Sequence, residues 1–442
     1  MSQQFIGVDI GTTRTKVGCY DTAAGRLVAL HTAPTVVADD PWGGRRDAAL
    51  LTSSVDDLLA RLLADPAVRV GDVAGVCVGS VGEEVVLFDR DGTVTAPVLA
   101  WYAGHGRAAK AERTRADGPW SDLDDTFSVF KLLWLAHHLP EAVAAARTFT
   151  SLADHVARHL LADPSAPVFL NRSHASRTGL FDVRAGHLRP DVLPDLGLGT
   201  LALPELVDSA TPVGRASGAG VLPRGVPVVA GGHDHMCGAF GAGVRGAGDV
   251  YVSAGTSEAQ LLLVTELPDT VDPGVDIGVF VAGGLRYLHR ATPSGRYYQA
   301  WHRLLYAGVD DGVMWDEIGR VVDDVEPALI DADRRTARLA ALPMDLTRGH
   351  AMASLLKGLA VEAESVTSRL GRLGGTDVAD VTIAGVAAGW DVWRRLRQQA
   401  TRRRLRFVVE PEATVLGVAV LAQLGATGRA DLPARLTTVD ID

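Results

Sequence analysis

The sequence predicts a mixed α/β protein built as two large domains. Its 442 residues exceed what one ordinary hydrophobic core holds. Apolar residues make up 47% and charged residues 22%, the balance of a packed globular chain rather than a disordered one. Strand-like and helix-like patterns alternate from one end to the other.

FIGVDIG is an apolar strand carrying one aspartate, and TKVGCYD resumes strand alternation after a Gly-Thr-Thr turn. RLVALHT adds a third strand, so the start reads as an antiparallel meander. From Asp47 to Ala67 the residues Leu51, Val55, Leu58, Leu59 and Leu62 recur at helical spacing, and Asp65-Pro66 is the stop signal. The strands VAGVCVGS, VVLFD and APVLAWY follow, then a charged, solvent-facing helix over Arg107 to Arg115. KLLWLAHHLP and ADHVARHLLAD are amphipathic helices. NRSHASRTGLFDVRAGHL joins a polar run to a short strand, suited to the wall of a polar pocket. VPVVAGGHDHMCGAFGAG is a buried strand that runs through glycines into a small-residue helix.

After the junction RGAGD, the stretch DVYVSAGTSEAQLLLVT repeats the opening plan of strand, Gly-Thr turn and strand. This places the domains at 1–243 and 244–442. RYLHRAT, VTIAGVAAGW, a basic helix from Asp391 to Arg404, the strand RLRFVVE and the helix ATVLGVAVLAQLGATG complete the second.

A net charge of −10 and a pI near 5.7 argue against a general nucleic-acid binder and favour small-molecule partners. Cys19, Cys77 and Cys237 are few, odd in number and set among apolar residues, which suits buried thiols in a reducing compartment, the cytoplasm. No long uncharged apolar run predicts a bilayer span, so no membrane role is expected.

Asp9-Ile10-Gly11-Thr12-Thr13 sits between strands, where backbone amides and two hydroxyls can wrap a phosphate and Asp9 can hold Mg2+ through water. Taken alone, it reads first as an ordinary hairpin turn. Gly255-Thr256-Ser257 offers a second cradle, and two such turns can grip a nucleoside triphosphate between domains. Neither matches the P-loop pattern, so a different ATPase architecture is required. Gly231-Gly232-His233-Asp234-His235 admits three readings: a metal site, a turn, or a carboxylate serving as catalytic base.

These motifs, in this order, resemble the FGGY carbohydrate kinases. VDIGTTRTKVGCYD is similar to the family's first phosphate motif, SHASRTGLFDV to its mid-domain segment, GGHDHMCGAFGAG to its catalytic-aspartate motif and SAGTSEAQ to its second phosphate motif. AGVAAGWDVW and EATVLGVAVLA are similar to the adenosine-site segment and the helix after it. The resemblance implies the two-domain ribonuclease H-like fold shared with actin and hexokinase, with ATP in an inter-domain cleft and its γ-phosphate passed to a sugar or polyol hydroxyl. It implies Asp234 as general base, Asp9 as organiser of Mg2+, and Gly11, Thr12, Thr13, Lys16, Gly255 and Thr256 around the phosphates. Gly385 and Gly389 would lie near adenosine, and Glu83, Trp101, His233 and Asp234 at the acceptor, with Glu84 the neighbour of Glu83. A pentulose is slightly favoured as acceptor, and a homodimer is an assembly it allows. An aspartate at a helix start is also expected to stay ionised.

The chain departs from the family at Ala103, where an aspartate is usual, leaving His105 or Arg107 to reach the pocket, and at Val386 in the adenosine segment. Two other function classes stay open at this point. One is an actin-like or chaperone-like ATP-driven switch that grips a protein. The other is a sugar-binding relative with impaired catalysis, prompted by Ala103.

Overall fold

A computed structural model describes residues 2–113, 120–255, 258–331, 336–339, 343–408, 410, 412–431 and 438–439. The chain divides into two units. The first comprises Met1–Gly243, Ile277–Leu285 and Glu412–Ala434, the second Val244–Asp276, Arg286–Pro411 and Arg435–Asp442. The expected division at 243/244 therefore needs correction in two places, where later chain returns to the first unit.

The first unit begins with the meander of β1 (Gln4–Ile10), β2 (Arg14–Asp21) and β3 (Arg26–Pro34), all antiparallel. Helix α1 (Ala48–Leu63) follows, its first amides capped by the Asp47 side chain and its stripe of Leu51, Val55, Leu58, Leu59 and Leu62 buried. Strand β4 (Val73–Ser80) lies parallel to β1. After α2 (Leu152–Leu161) come β5 (Pro212–Arg215), β6 (Pro227–His233) and α3 (Asp234–Gly241). The sheet order is β5-β6-β4-β1-β2-β3. The helix expected over Arg107 to Arg115 spans His105–Arg113, and residues 114–119 lie outside the described ones.

Side chains alternate across β1, and this decides where Asp9 goes. Ile6, Val8 and Ile10 join the core cluster with α1 and α2, where each fully buried aliphatic chain contributes about 1.5–3 kcal/mol. Gly7 and Asp9 take the opposite face. There a Cβ at Gly7 would stand 2.4 Å from the carbonyl oxygen of Val415, in the helix Ala413–Thr427.

That helix is apolar nearly all round, so it needs cover on every side, and it finds it against β1, β4, β6 and α3. This is why the C-terminal chain rejoins the first unit. Its contact with α3 is backbone on backbone: a Cβ at Gly417 would lie 1.9 Å from the Cys237 carbonyl oxygen. Gly417→Ala is expected to lower stability by about 1–3 kcal/mol or more, because neither backbone can yield. Urea unfolding midpoints measure this; an unchanged midpoint would contradict the packing.

The second unit carries β7 (Val250–Ala254), β8 (Glu258–Val264) and β9 (Arg286–Thr292), then the helices α4 (Ser294–Leu305), α5 (Asp311–Val321) and α6 (Arg348–Leu373). Strand β10 (Asp380–Ala384), α7 (Asp391–Gln399), β11 (Arg404–Val408) and β12 (Thr438–Val439) complete it. Its strands run in the order β9-β8-β7-β10-β11-β12 within a seven-stranded sheet. As in the first unit, an antiparallel meander continues into two parallel neighbours and an antiparallel edge. The repeated strand, turn and strand of the sequence thus marks a repeated sheet topology. The basic helix is shorter than expected, ending at Gln399. No helix among the described residues is long and apolar enough to cross a membrane.

Candidate active site

Asp9 is the one ionisable residue in β1, and it sits between Lys16 of β2 and Gly79 of β4 in the sheet register. It is buried, and its Oδ1 has no hydrogen-bond partner among the described residues. Burial pushes its carboxyl up to about 8, with Asp234 and Glu412 adding to the rise and Lys16 opposing it. Lys16 is engaged with Glu412, Nζ to Oε2 at 2.6 Å.

The turn after β1 is tight: Gly11 N–H donates to the Arg14 carbonyl at 3.0 Å, and the Thr35 hydroxyl donates to the Gly11 carbonyl at 2.9 Å. Thr12 Oγ1 accepts from the Trp101 indole at 2.9 Å, which leaves the hydroxyl its own proton to donate. Thr13 is exposed. Of the residues expected at the acceptor, Trp101 is thereby fastened to the turn after β1.

Asp234 opens α3 directly after β6. The two glycines before it are required by close approach: a Cβ at Gly231 would lie 2.0 Å from the Val78 carbonyl oxygen and one at Gly232 2.5 Å from Val281 Cγ1. The β6–β4 register shifts between Ala230 and His233, a bulge that turns the chain into the helix. The amide of His235 donates to Asp234 Oδ1 at 2.7 Å, and His233 Nε2 lies 3.2 Å from the same oxygen.

The expectation that Asp234 simply stays ionised is corrected by its surroundings. Burial raises its carboxyl to about 7, helped by the charges of Glu83 and Glu84, and the His235 amide only partly offsets this. Desolvation outweighs the helix terminus. The metal reading has some geometry, since ligand atoms of His233, Asp234 and His235 lie within 4.8 Å of one another. No fourth His, Cys, Asp or Glu joins them among the described residues, whereas structural zinc sites use four.

Glu83 and Glu84, adjacent in sequence, have different tasks. Glu83 holds a left-handed backbone, φ +65°, a conformation that costs a non-glycine residue energy and concentrates at functional sites. Arg177 Nε donates to its Oε1 at 2.6 Å, and the Ser128 hydroxyl donates to its carbonyl at 3.0 Å. Arg177 in turn lies over the Phe127 ring, 4.2 Å from its centroid.

Glu84 is fully buried in a two-pronged pair with Arg46, at 2.7 and 3.1 Å, and accepts from the Trp101 amide at 3.1 Å. It anchors the Trp101 turn rather than offering itself to solvent. Lys131 is buried nearby and pushed down to about 8 by desolvation, against the pull of Glu83 and Glu84. Arg46→Ala is expected to cost about 3–5 kcal/mol, because it strands a buried carboxylate. An unfolding free energy from urea titration within about 0.5 kcal/mol of wild type, an ordinary surface effect, would contradict that role.

Ala103 is buried, its Cβ 3.5 Å from where a Cβ at Gly43 would stand. His105 does not compensate for the missing aspartate: it is fully buried, 3.0 Å from Asp40 Oδ2, with its ring edge-on to Trp134 at 4.6 Å. Arg107 is largely exposed and pairs with Asp125. The sequence reading missed Arg177, although it lies inside the quoted SHASRTGLFDV segment, and missed Arg46 and Lys131, which no local pattern marks.

In the second unit, Gly255 is exposed at the end of β7, and Thr256 lies outside the described residues. Gly385 has φ +116°, and a Cβ there would be 2.4 Å from the Ala254 carbonyl oxygen, so the ends of β7 and β10 press together through glycine. Gly389 lines a cavity of about 590 Å³ with Trp315, Trp390, Arg320 and Arg395. The two indoles lie 5.2 Å apart, and Tyr298 lies 5.3 Å from Trp390.

The model of the FGGY family of carbohydrate kinases, N-terminal domain, matches residues 4–241. The chain is 24% identical over 399 residues to an autoinducer-2 kinase of Enterobacter sp. (strain 638), covering 81% of this chain and 73% of that one. Its structure is similar to xylulose kinase from Rhodospirillum rubrum, with a TM-score of 0.88 at 21% identity over 99% of this chain and 93% of that one. It is also similar to Plasmodium falciparum glycerol kinase with ADP, with a TM-score of 0.84 at 17% identity over 97% and 90% of the two chains. The fold is the two-domain ATPase fold of actin and hexokinase.

Proposed function

Because the chain belongs to the FGGY family of carbohydrate kinases and is an ATP-dependent sugar or polyol kinase, we propose that Asp234 is its general base and a small ketose, a pentulose before others, its acceptor. The observation that carries the base assignment is the position of Asp234: a half-buried carboxylate at the first turn of α3, near enough to Asp9, Glu83 and Glu84 to feel their charges. The likeness to xylulose kinases supports the pentulose. The autoinducer-2 kinase relatives favour a second acceptor, autoinducer-2 itself. Family membership leaves the protein-gripping switch without support.

In the proposed reaction an acceptor hydroxyl oxygen forms a bond to the γ-phosphorus as the bond to the ADP oxygen breaks. The hydroxyl proton passes to the Asp234 carboxylate. Such a loose transition state demands alignment and charge neutralisation above all. Glu83, fixed by Arg177, is assigned to accept a hydrogen bond from the acceptor, and Trp101 to close that side of its pocket. Lys16 reaches a phosphate by sharing or leaving Glu412. The partnerless, buried Oδ1 of Asp9 fits a hydrated Mg2+, which binds through one or two carboxylates and substrate phosphates. When bound, the ion neutralises phosphate charge.

A coupled ADP-release assay over pentuloses, hexuloses, autoinducer-2, glycerol and other polyols tests the acceptor. Catalysis lost with binding intact, the reading prompted by Ala103, would show as acceptor-induced thermal stabilisation without turnover. The base also predicts a pH profile. Since only ionised Asp234 accepts the proton and its carboxyl sits at about 7, kcat/KM for the acceptor should rise about tenfold per unit below pH 7 and level off above it. A flat profile between about pH 5.5 and 8.5 would contradict the assignment.

A further inference from the structure

The two oxygens of Asp234 are not equivalent. Oδ1 receives the His235 amide at 2.7 Å and has His233 Nε2 3.2 Å away. Among the described residues no hydrogen bond reaches Oδ2. We propose that His233 is a positioning residue for the base: it holds Oδ1 in place and leaves Oδ2 as the oxygen that takes the acceptor proton. This rests on Asp234 being the base, and it moves His233 from the acceptor to the carboxylate.

His233 is held by its backbone and packed against two other imidazoles. Its backbone amide donates to Ser173 Oγ at 3.2 Å, and its ring lies 5.2 Å from that of His235 at an interplanar angle of 27°. On another side His174, buried and neutral, lies with ring centroids 6.2 Å apart. Against the edge that meets Asp234 lies Gly82, where a Cβ would stand 3.0 Å from Nε2 and 3.1 Å from Cδ2. A side chain at 82 therefore crowds the ring at the edge that meets the carboxylate, and the ring must give by a few tenths of an ångström there. The carboxylate torsion of an aspartate is soft, with a broad two-fold preference, so an unheld Asp234 would present either oxygen at varied angles. Misplacing a reacting group by about 1 Å costs on the order of 10²-fold in rate.

The structure thus supplies two handles on one contact: removing the imidazole, or displacing it from Gly82. His233→Ala is expected to lower kcat by on the order of 10²-fold with the acceptor KM within about threefold. His233→Gln, whose amide reaches a similar point, should recover most of the loss. Gly82→Ala should lower kcat in the same sense, and its effect should vanish in the His233→Ala background, since both act through one contact. The probe is the best acceptor of the panel above.

A raised KM with unchanged kcat in His233→Ala would overturn the inference and return His233 to the acceptor. Additive effects of the two substitutions would overturn it as well. Should His233→Ala fail to fold, the cycle is run with His233→Phe, and the same additivity decides. Normal turnover in Asp234→Asn would instead remove the base reading beneath it, whereas loss there with full kcat in His233→Ala would remove this inference alone.

Discussion

Asp234→Asn is expected to lower acceptor-dependent ADP release by about 10²–10⁴-fold while ATP binding and the fold persist. The amide keeps the shape of the carboxylate and, through its oxygen, the bond from the His235 amide, but it cannot take a proton from an attacking hydroxyl. Stability should not fall. Wild-type Asp234 is half-buried and desolvation raises its carboxyl to about 7, so the folded protein holds it against its own preference for ionisation. A neutral amide removes that conflict. Thermal unfolding, ATP binding by calorimetry and coupled ADP release separate these effects. Turnover within a few-fold of wild type would end the base assignment, and loss of ATP binding would show that the substitution had damaged more than the base.

Asp9→Asn is expected to abolish turnover and yet raise the stability of the metal-free protein at alkaline pH. Its carboxyl moves from 3.8 to about 8 on folding, so between these values the folded chain holds a proton that the unfolded chain has released. Stability contributed by this group is therefore complete below about pH 4 and is lost as pH climbs towards 8. At pH 8 the difference is on the order of a few kcal/mol. Urea midpoints at about pH 5.5 and 8.5 without Mg2+ should lie further apart for wild type than for Asp9→Asn, where Asp234 is the raised carboxyl of the pair that still titrates. Added Mg2+ should then raise the wild-type midpoint at the alkaline pH more than that of the variant. Equal midpoints for the two proteins there would contradict the burial of an ionising Asp9.

Local chemistry made part of this molecule legible from its sequence. The meander, the Gly-Thr turn and α1 are specified by neighbours a few residues apart, through alternation, helical spacing and capping. GGHDH was legible for the same reason, as a strand that breaks on glycine and restarts as a helix. What stayed hidden depends on partners far along the chain. Glu83 meets Arg177 across 94 positions, and Glu84 meets Arg46 across 38, so no window of sequence distinguishes an acid poised in a pocket from one locked in a buried pair. The return of Ala413–Thr427 to the first unit is of the same kind. Its uniform apolarity shows that it is buried but not against what. The raised carboxyls of Asp9 and Asp234 arise from burial together with the convergence of Glu83, Glu84 and Glu412, none of which is their neighbour in sequence.

The central claim is that this chain transfers phosphate from ATP to a small sugar or polyol through Asp234. Its most direct test is ADP release measured with ATP and Mg2+, with and without each acceptor of the panel, for wild type and Asp234→Asn side by side. The account predicts release that depends on one or a few acceptors, pentuloses foremost, and that disappears in the variant. Release at the same rate with no acceptor present, or undiminished in Asp234→Asn, would contradict it.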